Sequence, residues 1–369
     1  MLRRKVFYLS GFDPRGIRFY YPLIRDEVLR HGEKTGTAVS VSKRRRAAAA
    51  AEFTVTAPER EVEAEIAFLR WEDLVMRAWL KGPRLIARTL STALRYMRLG
   101  ENAIVWRMKK GALITLYYPA AMLVLLPLLV AAPVALLLAL LLPWWAAVVA
   151  GLAAGLLVTR QAIDKLKALW LARLFVFSDE IARRGFSSEL EARLDAFAEQ
   201  VAVALAADTD EVLLVAHSNG AILAVPLLLR VIERVGVLPE RFALVTLGHC
   251  LPLLSGRRDA LAYQQLLEKL SRHRFRWIDI GSPPDGAAFE FVDPLAPAAE
   301  HGAIELTLLS ARFHRFYDPD TYHSGWANKY AIHFDYLRCG DRVSPVDLPS
   351  LILADRPVAA SVAAFRAIP

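Results

Sequence analysis

Charge is missing from one long stretch of this 369-residue chain: from Ala112 to Val158, 47 residues pass without an Asp, Glu, Lys or Arg. A helix that crosses a bilayer needs about 20 apolar residues, so the stretch holds two spans and is too long for one. Cysteine is nearly absent. Cys250 and Cys339 cannot build a disulfide framework and carry no metal-ligand spacing, so neither metal nor cofactor is expected. No nucleic-acid-binding motif is present. A secretory leader is not expected either, because Met1-Leu2-Arg3-Arg4 runs straight into a strand-like segment.

What the chain has in excess is apolar residues, 55% of the total, with a mean hydropathy of +0.30. That is too high for a purely soluble protein. Within the uncharged stretch, Pro143-Trp144-Trp145 reads as the turn of a hairpin, since tryptophan favours the headgroup level and proline ends the preceding helix. The spacing predicts one helix over Tyr117 to Leu142 and a second from Trp144 to about Leu166, with Tyr117 and Tyr118 at the opposite interface. Gly151 and Gly155 are four apart in the second helix, where small residues let two helices approach closely.

The net charge of +8 gathers around this hairpin. Arg84, Arg88, Arg95, Arg98, Arg107, Lys109 and Lys110 precede it, and Arg160, Lys165, Lys167 and Arg173 follow it. Basic residues stay on the cytoplasmic side and attract anionic lipid. The expected partner of this charge is therefore a membrane and not nucleic acid, with both ends of the hairpin facing the cytoplasm. A separate basic run, Lys43 to Arg46, reads as a solvated loop. The oligomeric state is not legible.

Elsewhere, strand-like and helix-like segments alternate. Lys5 to Ser10 is a compact strand leading into the turn-rich Gly11-Phe12-Asp13-Pro14-Arg15-Gly16, followed by an amphipathic helix over Tyr20 to Arg30. Thr37 to Ser42 and Glu52 to Thr56 read as strands. Pro58 to about Gly111 reads as helical, an arm approaching the membrane, and Gln161 to Ala207 as helical with a break near Gly185-Phe186. Strands follow at Glu211 to Val215, Phe242 to Leu247, Phe275 to Ile280 and Ala303 to Leu309, with helices at Asp259 to Arg272 and Asn328 to Cys339. This alternation predicts an α/β protein with a mostly parallel sheet covered by helices on both faces.

The most informative segment is Ala216-His217-Ser218-Asn219-Gly220, with the strand-like Val212 to Val215 before it and a helix-like run, Ala221 to Val235, after it. In a strand-to-helix turn of this kind the central serine is forced into a crowded backbone conformation, so its second neighbours must be small. Ala216 and Gly220 are. The segment resembles the nucleophile elbow of the α/β-hydrolase superfamily, whose usual pattern is Gly-x-Ser-x-Gly; Ala216 in place of the first glycine is the one departure. The order of elements also matches that core from its third strand onward. The resemblance implies an α/β-hydrolase-like sheet in two parts, residues 1–57 and 178–369. The helical arm 58–177 would be inserted between them, carrying the transmembrane hairpin at about 112–166.

A serine hydroxyl near neutral pH needs a base to take its proton and a carboxylate to orient that base. In this superfamily the chain order is Ser, acid, His. The resemblance places the acid in the loop after Trp277 to Ile280, at Asp285, with Asp279 and Asp293 as alternatives. The base falls on His333, in His333-Phe334-Asp335-Tyr336-Leu337, which is similar to the His-x-x-Tyr-Phe of fungal-type lipases. His314, only a few residues past the last strand, is the alternative base, and His323 also follows that strand. His217 is expected to pack or orient, and His249 and His301 to be structural. The oxyanion donors are expected at the Asn219 N–H and in the Gly11-Phe12 loop.

The activity these features imply is a membrane-anchored serine hydrolase, lipase- or carboxylesterase-like, acting on an ester of a lipid or other amphiphile from the cytoplasmic face of the inner membrane. A thioesterase or acyltransferase would use the same triad. The reading from another class is a membrane scaffold that keeps the fold without catalysis.

Overall fold

The computed structural model describes residues 1–98, 110–295, 303–322 and 329–369. Its centre is a nine-stranded sheet of β1 (Leu2–Leu9), β2 (Ser40–Val41), β3 (Arg45–Ala47), β4 (Ala50–Ala57), β5 (Val62–Leu69), β6 (Glu211–His217), β7 (Phe242–Leu247), β8 (Phe275–Gly281) and β9 (Ile304–Ser310). The strand order is β2-β4-β5-β1-β6-β7-β8-β9, with β3 also on β4. From β5 to β9 every pairing is parallel, and β2, β3 and β5 pair antiparallel with β4. The expected mostly parallel α/β sheet is therefore present.

Three expectations are corrected, the first being that Arg45 and Arg46, read as part of a solvated loop, belong to strand β3 and pair with β4. The segment from Pro58 is not helical throughout, because Val62–Leu69 is strand β5, seated between β4 and β1. Val62, Ala64 and Ile66 point into the core while Glu63 and Glu65 alternate outward, the period-two pattern of a strand. Pro58 to Glu61 is the connecting turn, with Glu61 at φ 53°. The predicted helix over Asn328 to Cys339 is also reduced, to one helical turn and a 3-10 turn.

Both faces of the sheet are covered, which is why the central strands read as continuous apolar runs. Phe7, Leu9, Val212 and Leu214 face one cluster; Val6, Tyr8, Leu213 and Val215 face the other. The helices, in chain order, are α1 (Ile17–Thr35), α2 (Glu72–Ala78), α3 (Gly82–Met97), α4 (Lys110–Leu138), α5 (Trp144–Lys165), α6 (Ala168–Arg184), α7 (Ser188–Ala206), α8 (Gly220–Val235), α9 (Pro252–Ser255), α10 (Leu261–Ser271), α11 (Phe313–Phe316), α12 (Lys329–Ile332), α13 (Leu348–Leu353) and α14 (Val358–Arg366). Helices α6, α7, α8 and α10 contribute to the first cluster, and α1, α13 and α14 to the second.

Helices α4 and α5 pack along each other and are long and apolar enough to cross a membrane, over Leu113–Leu138 and Trp144–Lys165. At 1.5 Å per residue these are about 39 Å and 33 Å long. The first helix ends at Leu138, a turn earlier than the sequence suggested, and Pro143 caps the second. The glycines set the approach: a Cβ on Gly151 would lie 2.6 Å from the Ala131 carbonyl oxygen, and one on Gly155 would strike that of Pro127. Tyr117 bonds the Tyr96 carbonyl of α3 at 2.8 Å, and the Tyr118 hydroxyl bonds that of Leu166 at 3.0 Å, tying the hairpin's base to the arm.

In the second cluster, the Asp347 carboxylate caps α13 by accepting from the Ser350 N–H at 2.8 Å. Burial there pushes its pKa up to about 7, against about 3.9 in an unfolded chain. Between those values the folded state holds more protons than the unfolded one, so this group's contribution to stability falls as pH rises from about 4 to 7 and stays low above. Asp347→Asn keeps the cap without the buried charge. It is expected to unfold at a higher temperature than wild type at pH 8, by on the order of 1–3 kcal/mol in stability, and to match it more closely at pH 4. Equal displacement at both pH values would mean that the carboxyl is not protonated in the fold.

Candidate active site

Gly11, Ser218 and Asp285 follow the carboxyl ends of β1, β6 and β8, where open α/β sheets bind ligands. Ser218 follows the last residue of β6 and sits at φ 58°, a left-handed conformation that costs a non-glycine residue on the order of 1–3 kcal/mol. The fold holds it there because α8 starts two residues later and its first residue packs directly on β1: a Cβ on Gly220 would strike the Leu9 carbonyl oxygen. Gly11 lies on the other side, where a Cβ would come within 2.8 Å of Ser218 Cβ and 3.1 Å of its Oγ. The loop after β1 is therefore pressed against the serine.

His333 and Asp285 are brought together. Nδ1 of the imidazole is 2.8 Å from Oδ2 of the carboxylate, both side chains fully buried. Because an ionised carboxylate only accepts, Nδ1 carries the proton and Nε2 is left with its lone pair. That Nε2 is buried and makes no hydrogen bond among the described residues. Asp285 accepts twice more, from the Tyr336 hydroxyl at 3.1 Å on Oδ2 and from the Ala287 N–H at 3.0 Å on Oδ1. Gly248, at the end of β7 with φ 56°, leaves the space these groups occupy: a Cβ there would meet the Tyr336 ring at 2.7 Å and Asp285 Oδ2 at 3.2 Å.

His217, beside the serine, holds the backbone of the other histidine. Its Nε2 is 2.8 Å from the His333 carbonyl oxygen, so Nε2 bears the proton, and the two rings lie 4.8 Å apart. Burial and the neighbouring His333 keep the His217 pKa well below the usual imidazole value, so it stays neutral. The Ser218 hydroxyl faces Cys250 Sγ at 3.8 Å. That thiol donates to the Ala287 carbonyl at 3.2 Å, and burial pushes its pKa up. It acts as a neutral, weak acceptor for the serine.

Helix α6 lies over the cluster. Trp170 packs edge-on against His333 with ring centroids 5.5 Å apart, Phe177 stacks on Phe12 at 4.3 Å, and the Ser178 hydroxyl accepts from the Asn219 side-chain amide at 3.3 Å. The next residue, Asp179, anchors the helix: it is fully buried and accepts from Arg95 and, at 2.9 Å, from Arg257. Burial alone would raise its pKa, but these guanidinium bonds hold it below the ordinary carboxylate value. The backbone N–H groups of Phe12 and Asn219 have no hydrogen-bond partner among the described residues.

The alternative residues lie elsewhere or are otherwise engaged. His314 is exposed on α11 and makes no contact with Asp285. Asp279 remains within β8, accepting from Thr246 at 2.6 Å and lying 3.3 Å from His249 Nε2, off the hydrogen-bonding angle. Asp293 closes a turn on the Leu295 N–H at 2.8 Å. His301 and His323 are outside the described residues. Trp170, Tyr336, Cys250 and Ser178 were not singled out from sequence. Of these, only Tyr336 carried a signal, since it belongs to the segment that begins at His333. Among the described residues, no group of three His, Cys, Asp or Glu side chains is placed to hold a metal ion. No protein-family model, curated protein or solved structure matches this chain.

Proposed function

We propose that this chain is a membrane-anchored serine hydrolase that cleaves an ester of a lipid or other amphiphile through an acyl-enzyme. One observation carries the reading: a strained serine, held at φ 58° at the carboxyl end of a central strand, follows His217, whose ring bonds the backbone of His333, and His333 in turn pairs with Asp285 while its Nε2 has no hydrogen bond among the described residues. Strain at a single non-glycine residue persists only where the surrounding structure over-determines it, and such residues concentrate at active sites.

The chemistry follows from the partners. Ser218 Oγ turns about χ1 from Cys250 toward the imidazole and attacks the ester carbonyl carbon as its proton passes to His333 Nε2. Asp285 keeps Nδ1 protonated and supports the imidazolium. The carbonyl oxygen, now negative, is received by the N–H groups of Asn219 and Phe12; each such donor is worth about 10²- to 10³-fold in rate. Collapse of the intermediate breaks the C–O bond, and the leaving alkoxide takes the proton from Nε2. Water then enters by the same steps and releases the acid. An alcohol in place of that water would make the same machinery an acyltransferase.

The hairpin supplies the anchor. Leu136, Leu140 and Leu141 are 73–84% exposed, and at about 25 cal/mol per Å² such apolar surface is costly in water and at home in hydrocarbon. Basic residues at both ends of the hairpin favour a cytoplasmic placement of the hydrolase core.

The resting bond from Ser218 to Cys250, with none to His333, favours a second reading, a membrane scaffold without catalysis. Hydrogen bonds of catalytic groups often tighten only with substrate. A fluorophosphonate probe on the protein in native membranes separates the two: wild type is expected to label and Ser218→Ala not to, and an unlabelled, folded wild type would leave the scaffold.

A further inference from the structure

We propose that the cleft at the base of the α4–α5 hairpin is a binding site for one long acyl chain of a bilayer lipid, and that it presents the ester of that chain to Ser218 past Trp170. The delivery half of this proposal rests on the serine-hydrolase reading above; the binding half does not.

The two helices touch where Gly151 faces Ala131 and Gly155 faces Pro127. Toward the carboxyl end of α5 they part. The space between them is a cleft of about 560 Å³, lined by Tyr118, Met122, Leu125 and Leu129 of α4 and by Ala162 and Leu166, at and just beyond the end of α5. That volume is within the range of small-molecule sites, about 300–1,000 Å³. Its walls are apolar apart from one hydroxyl, Tyr118, and that group is already bonded to the Leu166 carbonyl at the end of the cleft. Among the described residues nothing else in the lining could orient a polar ligand or hold ordered water, so the chemistry that fits is a hydrocarbon chain. The cleft is continuous with the exposed apolar flank of helices that are long enough to cross a membrane, and this commits the source of the chain to the bilayer.

The position of the inner end is what joins the cleft to the candidate triad. Leu166 lines the cleft, Lys167 turns the chain in a left-handed conformation, and α6 begins at Ala168. Less than one helical turn further, the Trp170 ring packs on His333 at 5.5 Å and on Tyr330 at 4.9 Å. A lipid keeps its chains in the hydrocarbon and its ester carbonyl at the interface, the level favoured by tyrosine and by basic residues such as Lys165 and Lys167. A chain seated along Leu129, Leu125 and Met122 would therefore end with its carbonyl beside Tyr118 and Leu166. Trp170, four residues on from Leu166, then packs against the imidazole.

The test fills the cleft without touching the triad. Ala162→Trp and, from the opposite wall, Leu125→Trp would occupy the space of the chain, while Leu136→Trp, on an exposed face of α4 outside the cleft, is the control. Each protein would be assayed in phosphatidylcholine vesicles with 4-methylumbelliferyl oleate, and with the water-soluble acetate ester. Both cleft variants are expected to lose roughly tenfold or more on the oleate, the scale of discrimination in apolar pockets, and to keep acetate hydrolysis and fluorophosphonate labelling within about twofold of wild type. The control should keep all three. Equal losses on both esters, or none on the oleate, would overturn delivery through the cleft while leaving the serine hydrolase intact. A wild type that neither labels nor hydrolyses either ester would overturn the hydrolase reading and delivery together. Binding is read separately, with a phosphatidylcholine bearing a terminal diazirine on one acyl chain. Photolabelling of residues 118–129 that falls in Ala162→Trp supports the site, and labelling unchanged by that substitution overturns it.

Discussion

Asp285→Asn is expected to lower kcat by on the order of 10⁴ while leaving the fold intact. The size follows from where the two carboxylate oxygens are held. Oδ1 accepts from the Ala287 N–H, whereas Oδ2 faces both His333 Nδ1 and the Tyr336 hydroxyl. An asparagine must place its oxygen on the Ala287 side, because an amide NH₂ there would oppose a donor. Its NH₂ then points at Nδ1, which can only accept. The proton of the neutral imidazole moves to Nε2, the atom required to take the proton of Ser218, and the base is lost with no change in shape. The defect should appear in kcat, with little change in KM and an unfolding temperature close to that of wild type. Activity of the variant should recover partly at high pH, where hydroxide can take the serine proton in place of Nε2. A loss below about tenfold would separate Asp285 from the chemistry and leave its bonds to His333 and Tyr336 as packing alone.

How much of this arrangement was legible depended on how local its causes are. The elbow was, since a strand, five residues of defined size and a helix are contiguous, and the strain at Ser218 is imposed by Gly220 on Leu9 and Gly11 on Ser218, positions that glycine marks in the sequence. Asp285 and His333 are 48 residues apart and could be named only through the resemblance, which narrowed each to a few alternatives. Geometry then separates them: His314 is exposed and Asp279 is taken up by Thr246. Strand β5 was missed although its signal was present. Val62-Glu63-Ala64-Glu65-Ile66 alternates at period two after the turn Pro58 to Glu61, but it lies inside the run from Pro58 to about Gly111 that reads as one helical arm. Glu65 in fact pairs with Lys5 at 3.0 Å, across the β1–β5 register. Trp170, Ser178 and Cys250 could not have been found. They reach the site through the folding of α6 across the sheet and through the end of β7, and no spacing in the chain encodes either contact. The hairpin was the clearest feature of all, because hydrocarbon length and the absence of charge are properties of a segment by itself. Its connection to the site was not: the left-handed turn at Lys167, which aims α6 at His333, occupies one residue in an otherwise helical pattern.

Arg4→Met is expected to destabilise the protein by about 3–5 kcal/mol, the cost of removing one member of a buried ion pair. Arg4 of β1 and Glu211 of β6 are neighbours in register, and the guanidinium Nε donates to Glu211 Oε2 at 2.6 Å with both side chains almost wholly buried. The remaining donors are also used. Nη1 reaches the carbonyls of Ile352 and Ala354 at 3.1 and 3.0 Å, Nη2 reaches that of Arg356 at 2.7 Å, and Glu211 Oε1 accepts from the Val358 N–H at 2.7 Å. One ion pair thus fastens the start of the parallel sheet to the segment between α13 and α14. Methionine fills much of the volume but leaves the buried Glu211 carboxylate without its cation, held only by the Val358 N–H, and takes a donor from three carbonyls; the uncompensated buried charge is the larger share of the loss. Glu211→Gln in the same background removes that charge, so the double variant should lose clearly less than the sum of the two single changes, a coupling that a double-mutant cycle measures. The pair lies seven residues back along the chain from Ser218, about 23 Å at 3.3 Å per residue. Activity per folded molecule should therefore be unchanged while the denaturation midpoint falls, and a loss of stability below about 1 kcal/mol would show that water reaches the pair and that it does not hold the C-terminal helices to the sheet.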